Sequence, residues 1–233
     1  MTNKRTISIH QPAYMPWMGY LDRIYRSDVF VFLDNVQFER NSFINRNKIK
    51  TKDSVRWLTV PVNLKNHMIS TISDTLIADN ISWRNNHIIQ IELNYKKGNF
   101  FKENILQIYN LLNGTELFIS DLCFNHLKFW MSEFNIKTEI IKASELQLNY
   151  KKSDLILELC QNLGATNYLS GPFGKSYLNE SKFNKLGIDI EYHEYVEPLY
   201  NQLGVDFIPN LSVVDSWMNC GNEHIMKYFL NNK

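Results

Sequence analysis

Residues 6–34, TISIHQPAYMPWMGYLDRIYRSDVFVFLD, constrain this chain more than any other stretch. TISIH (6–10) has the apolar, β-branched character of a buried strand. PWMGYLDRIYRS (16–27) reads as a helix with Leu21, Ile24 and Tyr25 on one face. Pro16 suits its first position, where a missing N–H costs nothing. DVFVFLD (28–34) is a continuous apolar run of strand length, the pattern of a strand covered on both faces. Strand, helix and strand in so short a span make a β-α-β unit, and that crossover implies parallel strands.

The remaining chain extends this pattern. RWLTVPV (56–62), ISTISDTLI (69–77), TEIIKA (138–143), NYLSG (167–171) and IDIEYHEY (188–195) read as strands. Helices are expected at about 83–96, 101–112 and 117–134, in SDLILELCQNLG with Ser153 as N-cap and Gly164 as stop, in SKFNKLG, and from about Ser212 onward. The expected fold class is α/β: a mostly parallel, Rossmann-like sheet with flanking helices and a helical middle segment. Residues 1–233 are read as a single domain, with a helical insertion at about 83–134.

Composition narrows the function classes. The formal net charge is +1, so no global field favours nucleic acid or a membrane surface. Cys123, Cys160 and Cys220 are far apart and form no CxxC pair, which argues against a zinc site or a disulfide framework and fits a reducing cytoplasm. The start MTNKRTISIH lacks the apolar core of a signal peptide, and no run of 18 apolar residues exists. His67, His87, His126 and His224 lack metal-ligand spacing, and neither GxSxG nor a GxxxxGK[ST] loop occurs.

Three segments carry candidate chemistry. In open α/β sheets, ligands bind outside the carboxyl ends of strands. His10 closes the first strand and Asp34 the second, so both are candidate catalytic residues. Around them, Gln11, Tyr14, Trp17, Gly19 and Tyr20 form a proline-stiffened loop and helix start suited to a sugar or nucleotide, and Gln37 follows Asp34. FERNSFINRNKIKT (38–51) is read as a loop whose Asn45, Arg46 and Lys48 clamp phosphate or carboxylate. SGPFGKSYL (170–178) and YHEYVEPLYNQ (192–202) supply Gly171, Tyr177, His193, Tyr200 and Gln202 as pocket wall and hydrogen-bonding groups. Each has a structural alternative: a histidine satisfied in the fold, aromatics packed under a loop, a solvated basic segment, a Tyr-rich core strand.

Taken together, HQPAYMPWMGYLDRIYRSDVFVFLDNVQF, NRNKIKT with WLTVPV, LSG through YL, YNQ, Phe207 and LSVVDSWMNCG resemble the WbqC-like protein family over nearly the full chain. The resemblance implies a bacterial protein encoded with O-antigen or other surface-polysaccharide enzymes, with glycine or acyl transfer to a sugar as a suggested role. A fainter likeness is to the start of HIGH-type nucleotidyltransferases. Here PWMGY stands where HxGH would fall, and no KMSKS-like segment is present, which puts adenylyl transfer in doubt.

The expectation is a cytoplasmic transferase acting on a nucleotide-linked sugar. His10 is the general base and Asp34 its orienting partner, Arg46 and Lys48 hold the anion, and Tyr14, Trp17 and Tyr200 stack. The competing expectations are a non-catalytic sugar or nucleotide-sugar binder and an ATP-dependent ligase. No metal is expected, any cofactor is open, and a homodimer is compatible with the sequence.

Overall fold

A computed structural model of the protein describes residues 4–63, 70–78, 82–204 and 206–231. Five strands form one parallel sheet: β1 (Thr6–His10), β2 (Val29–Phe32), β5 (Glu139–Lys142), β6 (Asn167–Ser170) and β7 (Asp189–Tyr192), in the order β5-β2-β1-β6-β7. This is a Rossmann-like layout, as the opening β-α-β unit requires. The order reverses at β1: the chain runs outward through β2 and β5, then returns across to β6 and β7. The crevice between the C-terminal ends of β1 and β6 is therefore the topological switch point, where doubly wound sheets take their ligands.

Both faces of the sheet are covered. Alternation along β1 and β2 sends Phe30 and Phe32 to one side, into a cluster with α1 (Met18–Tyr25), α2 (Trp83–Tyr95), α3 (Phe101–Leu112), α4 (Ile119–Glu133) and α7 (Val213–Asn231). It sends Ile7, Ile9, Val29 and Val31 to the other, against α5 (Lys152–Asn162) and α6 (Glu180–Lys185). Burial on both faces explains why DVFVFLD is apolar at every turn of the pleat. Helix α7 is kinked at Gly221, whose backbone (φ 73°, ψ 179°) is not helical. Among the described residues no helix is long and apolar enough to cross a membrane.

Several elements depart from the sequence expectation. Residues 46–50, expected as part of a loop, form strand β3 (Arg46–Lys50), paired antiparallel with β4 (Val55–Thr59). The 69–77 segment is not a strand beyond isolated bridges, and Ile69 lies outside the described residues, as does His67. Its side chains explain this: Thr71 donates to Asp74 (2.6 Å), and Thr75 donates back to the Thr71 carbonyl (2.8 Å), closing a turn in place of a ladder. Helix α1 begins at Met18, two residues after Pro16. The Pro16 carbonyl accepts from the Val213 N–H (2.7 Å) and Trp17 bridges Ser212, so this stretch stays extended. Ser153 is not an N-cap: α5 starts at Lys152, and the Ser153 hydroxyl accepts from the Asn179 N–H.

Candidate functional site

The switch point is built from the end of β1 upward. His10 pairs with Phe32 of β2, and the β1–β6 register sets Ser8 against Leu169, which brings His10 level with Gly171 just beyond β6. The His10 ring is partly buried. Tyr20 stands edge-on to it at 5.0 Å and Trp17 at 5.9 Å between centroids. Its Nδ1 lies 2.8 Å from the Gln11 carbonyl. A carbonyl only accepts, so Nδ1 carries the proton and Nε2 presents a bare lone pair. Burial, and next the positive charge of Arg23, hold its pKa down at about 3, against a weaker opposing pull from the Gln11 carbonyl. The ring is thus a neutral acceptor throughout the physiological range.

Arg23 is a candidate residue that the sequence reading did not name. Helix α1 is buried from Met18 to Ile24, and Arg23 itself is only 5% exposed. Its Nη1 occupies the space that a Cβ at position 171 would need, 2.5 Å from that point, so a side chain there would have to displace the guanidinium. Its Nε is sealed from solvent with no acceptor. Among the described residues no carboxylate pairs with it, and its titratable neighbours are His10 and the uncharged phenols of Tyr168, Tyr20 and Tyr177. The signal was available: Arg23 lies three residues after Tyr20 and beside Ile24, an inward position on a short helix.

From His10 a line of aromatic rings leads to the β3–β4 hairpin. Trp17 meets Phe43 at 5.3 Å, Phe43 meets Trp57 at 5.7 Å, and the Arg46 guanidinium lies 4.2 Å above the Trp57 ring, with Lys48 at 5.8 Å. Phe43 and Trp57 are 37% and 40% exposed, so this ridge is partly open to solvent, with Arg46 covering one face of Trp57. Asn47 fastens the Pro-rich loop to the hairpin by donating to the Met15 carbonyl (2.7 Å). The structure therefore brings together His10, Gln11, Trp17, Tyr20, Gly171 and Tyr177, and connects Arg46 and Lys48 to them through Phe43.

The other candidates have different jobs. Asp34 does not orient His10. It is fully buried and accepts from the Ser120 hydroxyl (2.9 Å), the Ser144 N–H (2.9 Å) and the Ser144 hydroxyl (2.8 Å), tying β2 to α4 and to the turn after β5. Tyr14 cannot stack on a substrate, because it is fully buried with its hydroxyl 2.9 Å from His87 Nδ1. Asn45 donates to the Val60 carbonyl (2.8 Å), and Gln37 sits exposed on a bridge to Thr71. His193 is buried against Asp22, Nε2 to Oδ2 2.6 Å, with Arg26 completing the cluster. Tyr200 donates to Asp215 (2.7 Å), and Gln202 bonds Ile208 and Lys50, so Tyr200 is held over a buried carboxylate and Gln202 is committed to the fold beside it.

Gly19 is likewise structural. A Cβ there would fall 2.7 Å from the Tyr195 ring and 3.1 Å from Trp17 Nε1. The helix start is filled by protein and not by a ligand. Gly19→Leu is expected to cost folding first, by at least about 1–3 kcal/mol from overpacking, visible as a lowered Tm. An unchanged Tm would return the position to the ligand.

Two buried histidines beside the site set the acid limit of the fold. Burial is the leading cause that lowers the pKa of His87 to about 4 and of His126 to about 3. Unfolded, both titrate near 6.5, so below that pH the unfolded chain binds protons that the folded chain refuses. The stability is complete above about pH 6.5 and is lost as pH falls toward 4, at up to about 1.4 kcal/mol per pH unit for each ring. Urea midpoints measured from pH 7 to pH 5 should fall steadily. A flat profile would mean the folded protein protonates these rings.

Three comparisons with known proteins bear on the site. The model of the WbqC-like protein family matches residues 11–227, which takes in every site residue above except His10. A Mycobacterium tuberculosis protein, "Uncharacterized protein Rv1507c", is 34% identical over 223 residues, covering 94% of this chain and 95% of its own length. No solved structure gives a significant match.

Proposed function

The chain belongs to the WbqC-like protein family, and from that premise we propose that it is a transferase that modifies a nucleotide-linked sugar in bacterial surface-polysaccharide biosynthesis, by glycyl or other acyl transfer. One observation carries the reading: a neutral histidine with a bare Nε2 at the end of the central strand, in the crevice where a doubly wound sheet takes its ligand. Acyl transfer to an amine or hydroxyl needs an acceptor for the proton released as the nucleophile attacks, and Nε2 can take it. Trp17 and the partly exposed rings of Phe43 and Trp57 offer stacking surface for a sugar or base, and Arg46 and Lys48 stand over Trp57 as cations for a phosphate.

A second reading has its own support. A ring whose pKa is held near 3 is a weak base, and the same lone pair serves a purely binding protein as a hydrogen-bond acceptor. A thermal-shift panel of nucleotide sugars, aminoacyl donors and acyl donors, followed by product mass measurement on every hit, separates the two. A ligand at 100 times its Kd adds about 2.7 kcal/mol, which is about 5–10 °C in Tm for a chain of this length. Binding with a mass change supports the transferase. Binding of nucleotide sugars without any product from the donor panel supports the binder.

A further inference from the structure

We propose that Arg23 anchors the anionic end of the substrate, a phosphoryl or carboxyl group, in the crevice between the C-terminal ends of β1 and β6. The proposal rests on the reading of that crevice as the substrate site and adds the group that holds the charge there. A buried guanidinium without a counter-charge is costly, and structures that keep one have a use for it. Asp22, on the neighbouring position of the same helix, is paired through Oδ2 with Arg26 at 2.8 Å and His193 at 2.6 Å, while its Oδ1 is buried without a partner. The carboxylate next in sequence to Arg23 is thus committed elsewhere, and Arg23 is left with Nε unsatisfied and Nη1 lying over Gly171.

The surroundings fit an oxyanion. The guanidinium offers two parallel N–H groups, the geometry that carboxylate and phosphate oxygens accept bidentately. Gly171 lets the guanidinium lie directly against the backbone at the end of β6, because a Cβ there would fall 2.5 Å from Nη1. Tyr177, just beyond the turn that follows Gly171, is half exposed, and its phenol lies near Arg23, so it can close over a bound group. Binding there also reaches His10. The Arg23 charge is the second cause of the low His10 pKa, so an anion that neutralises Arg23 makes Nε2 a stronger base at the moment the substrate is in place.

The test uses the full chain with two probes, inorganic pyrophosphate and acetate, which separate a phosphoryl from a carboxyl source. Calorimetric titration of the wild type should give binding of one of them. Arg23→Met should raise the Tm of the unliganded protein, because it removes an unpaired buried charge, and should weaken binding of that probe about 10- to 100-fold. Arg23→Lys, which keeps the charge and loses the fork, should fall between, and it carries the test if the Met variant does not fold. Unaltered affinity in either variant overturns the proposal, and so does a wild type that responds to neither anion. His10→Ala keeps the two readings apart. Anion binding retained with transfer lost upholds both, whereas transfer intact with anion binding independent of Arg23 removes the anchor alone.

Discussion

His10→Ala is expected to lower turnover by about 10²- to 10⁴-fold, the usual worth of a positioned general base, while the protein folds and binds its substrate within roughly an order of magnitude. The ring makes one hydrogen bond, to the adjacent Gln11 carbonyl, and stands at the edge of the crevice, so little of the fold depends on it. His10→Gln is the sharper variant. Its amide can accept a hydrogen bond but cannot take a proton at neutral pH. Turnover by His10→Gln close to that of the wild type would assign the ring to hydrogen bonding and favour the binding protein. Loss in both variants with retained affinity assigns proton transfer.

Asp34→Ala should do the reverse. Its carboxylate accepts three hydrogen bonds from Ser120 and Ser144, all inside the protein. Removing it leaves two hydroxyls and an N–H without their partner, at a cost of about 3–5 kcal/mol. For a chain of this length that lowers Tm by on the order of 10 °C. Below the transition, the variant should retain the wild-type turnover. A large fall in turnover with an unchanged Tm would restore Asp34 to the catalytic role that its position at the end of β2 suggests.

The β-α-β unit, the helices over 83–133 and the parallel sheet were legible because their signals are periodic. A buried strand needs an unbroken apolar run, and an amphipathic helix repeats its apolar residues every three to four positions. Residues 46–50 do not read as a strand because β3 is Arg-Asn-Lys-Ile-Lys, with Ile49 its one apolar residue, and pairing with β4 overrides that local polarity. His10 was legible as a candidate for a topological reason: the end of a central parallel strand is where such sheets bind.

What the sequence could not decide was the partner of each polar side chain. Asp34, Tyr14, Gly19, His193, Tyr200 and Gln202 all have the residue types of a site, and folding spends each on another part of the protein: Ser120 and Ser144, His87, the Tyr195 ring, Asp22, Asp215, Ile208. Arg23 is the opposite case, an unremarked helical arginine whose meaning lies in the absence of a carboxylate within reach among the described residues. Local sequence sets which backbone conformations and which buried faces are affordable. Whether a charged or polar group is satisfied depends on groups brought up from 86, 110 or 171 residues away, as for Ser120, Ser144 and His193. Hydrogen bonds act over about 3 Å, so only the packed chain determines which polar residues are left over for a ligand.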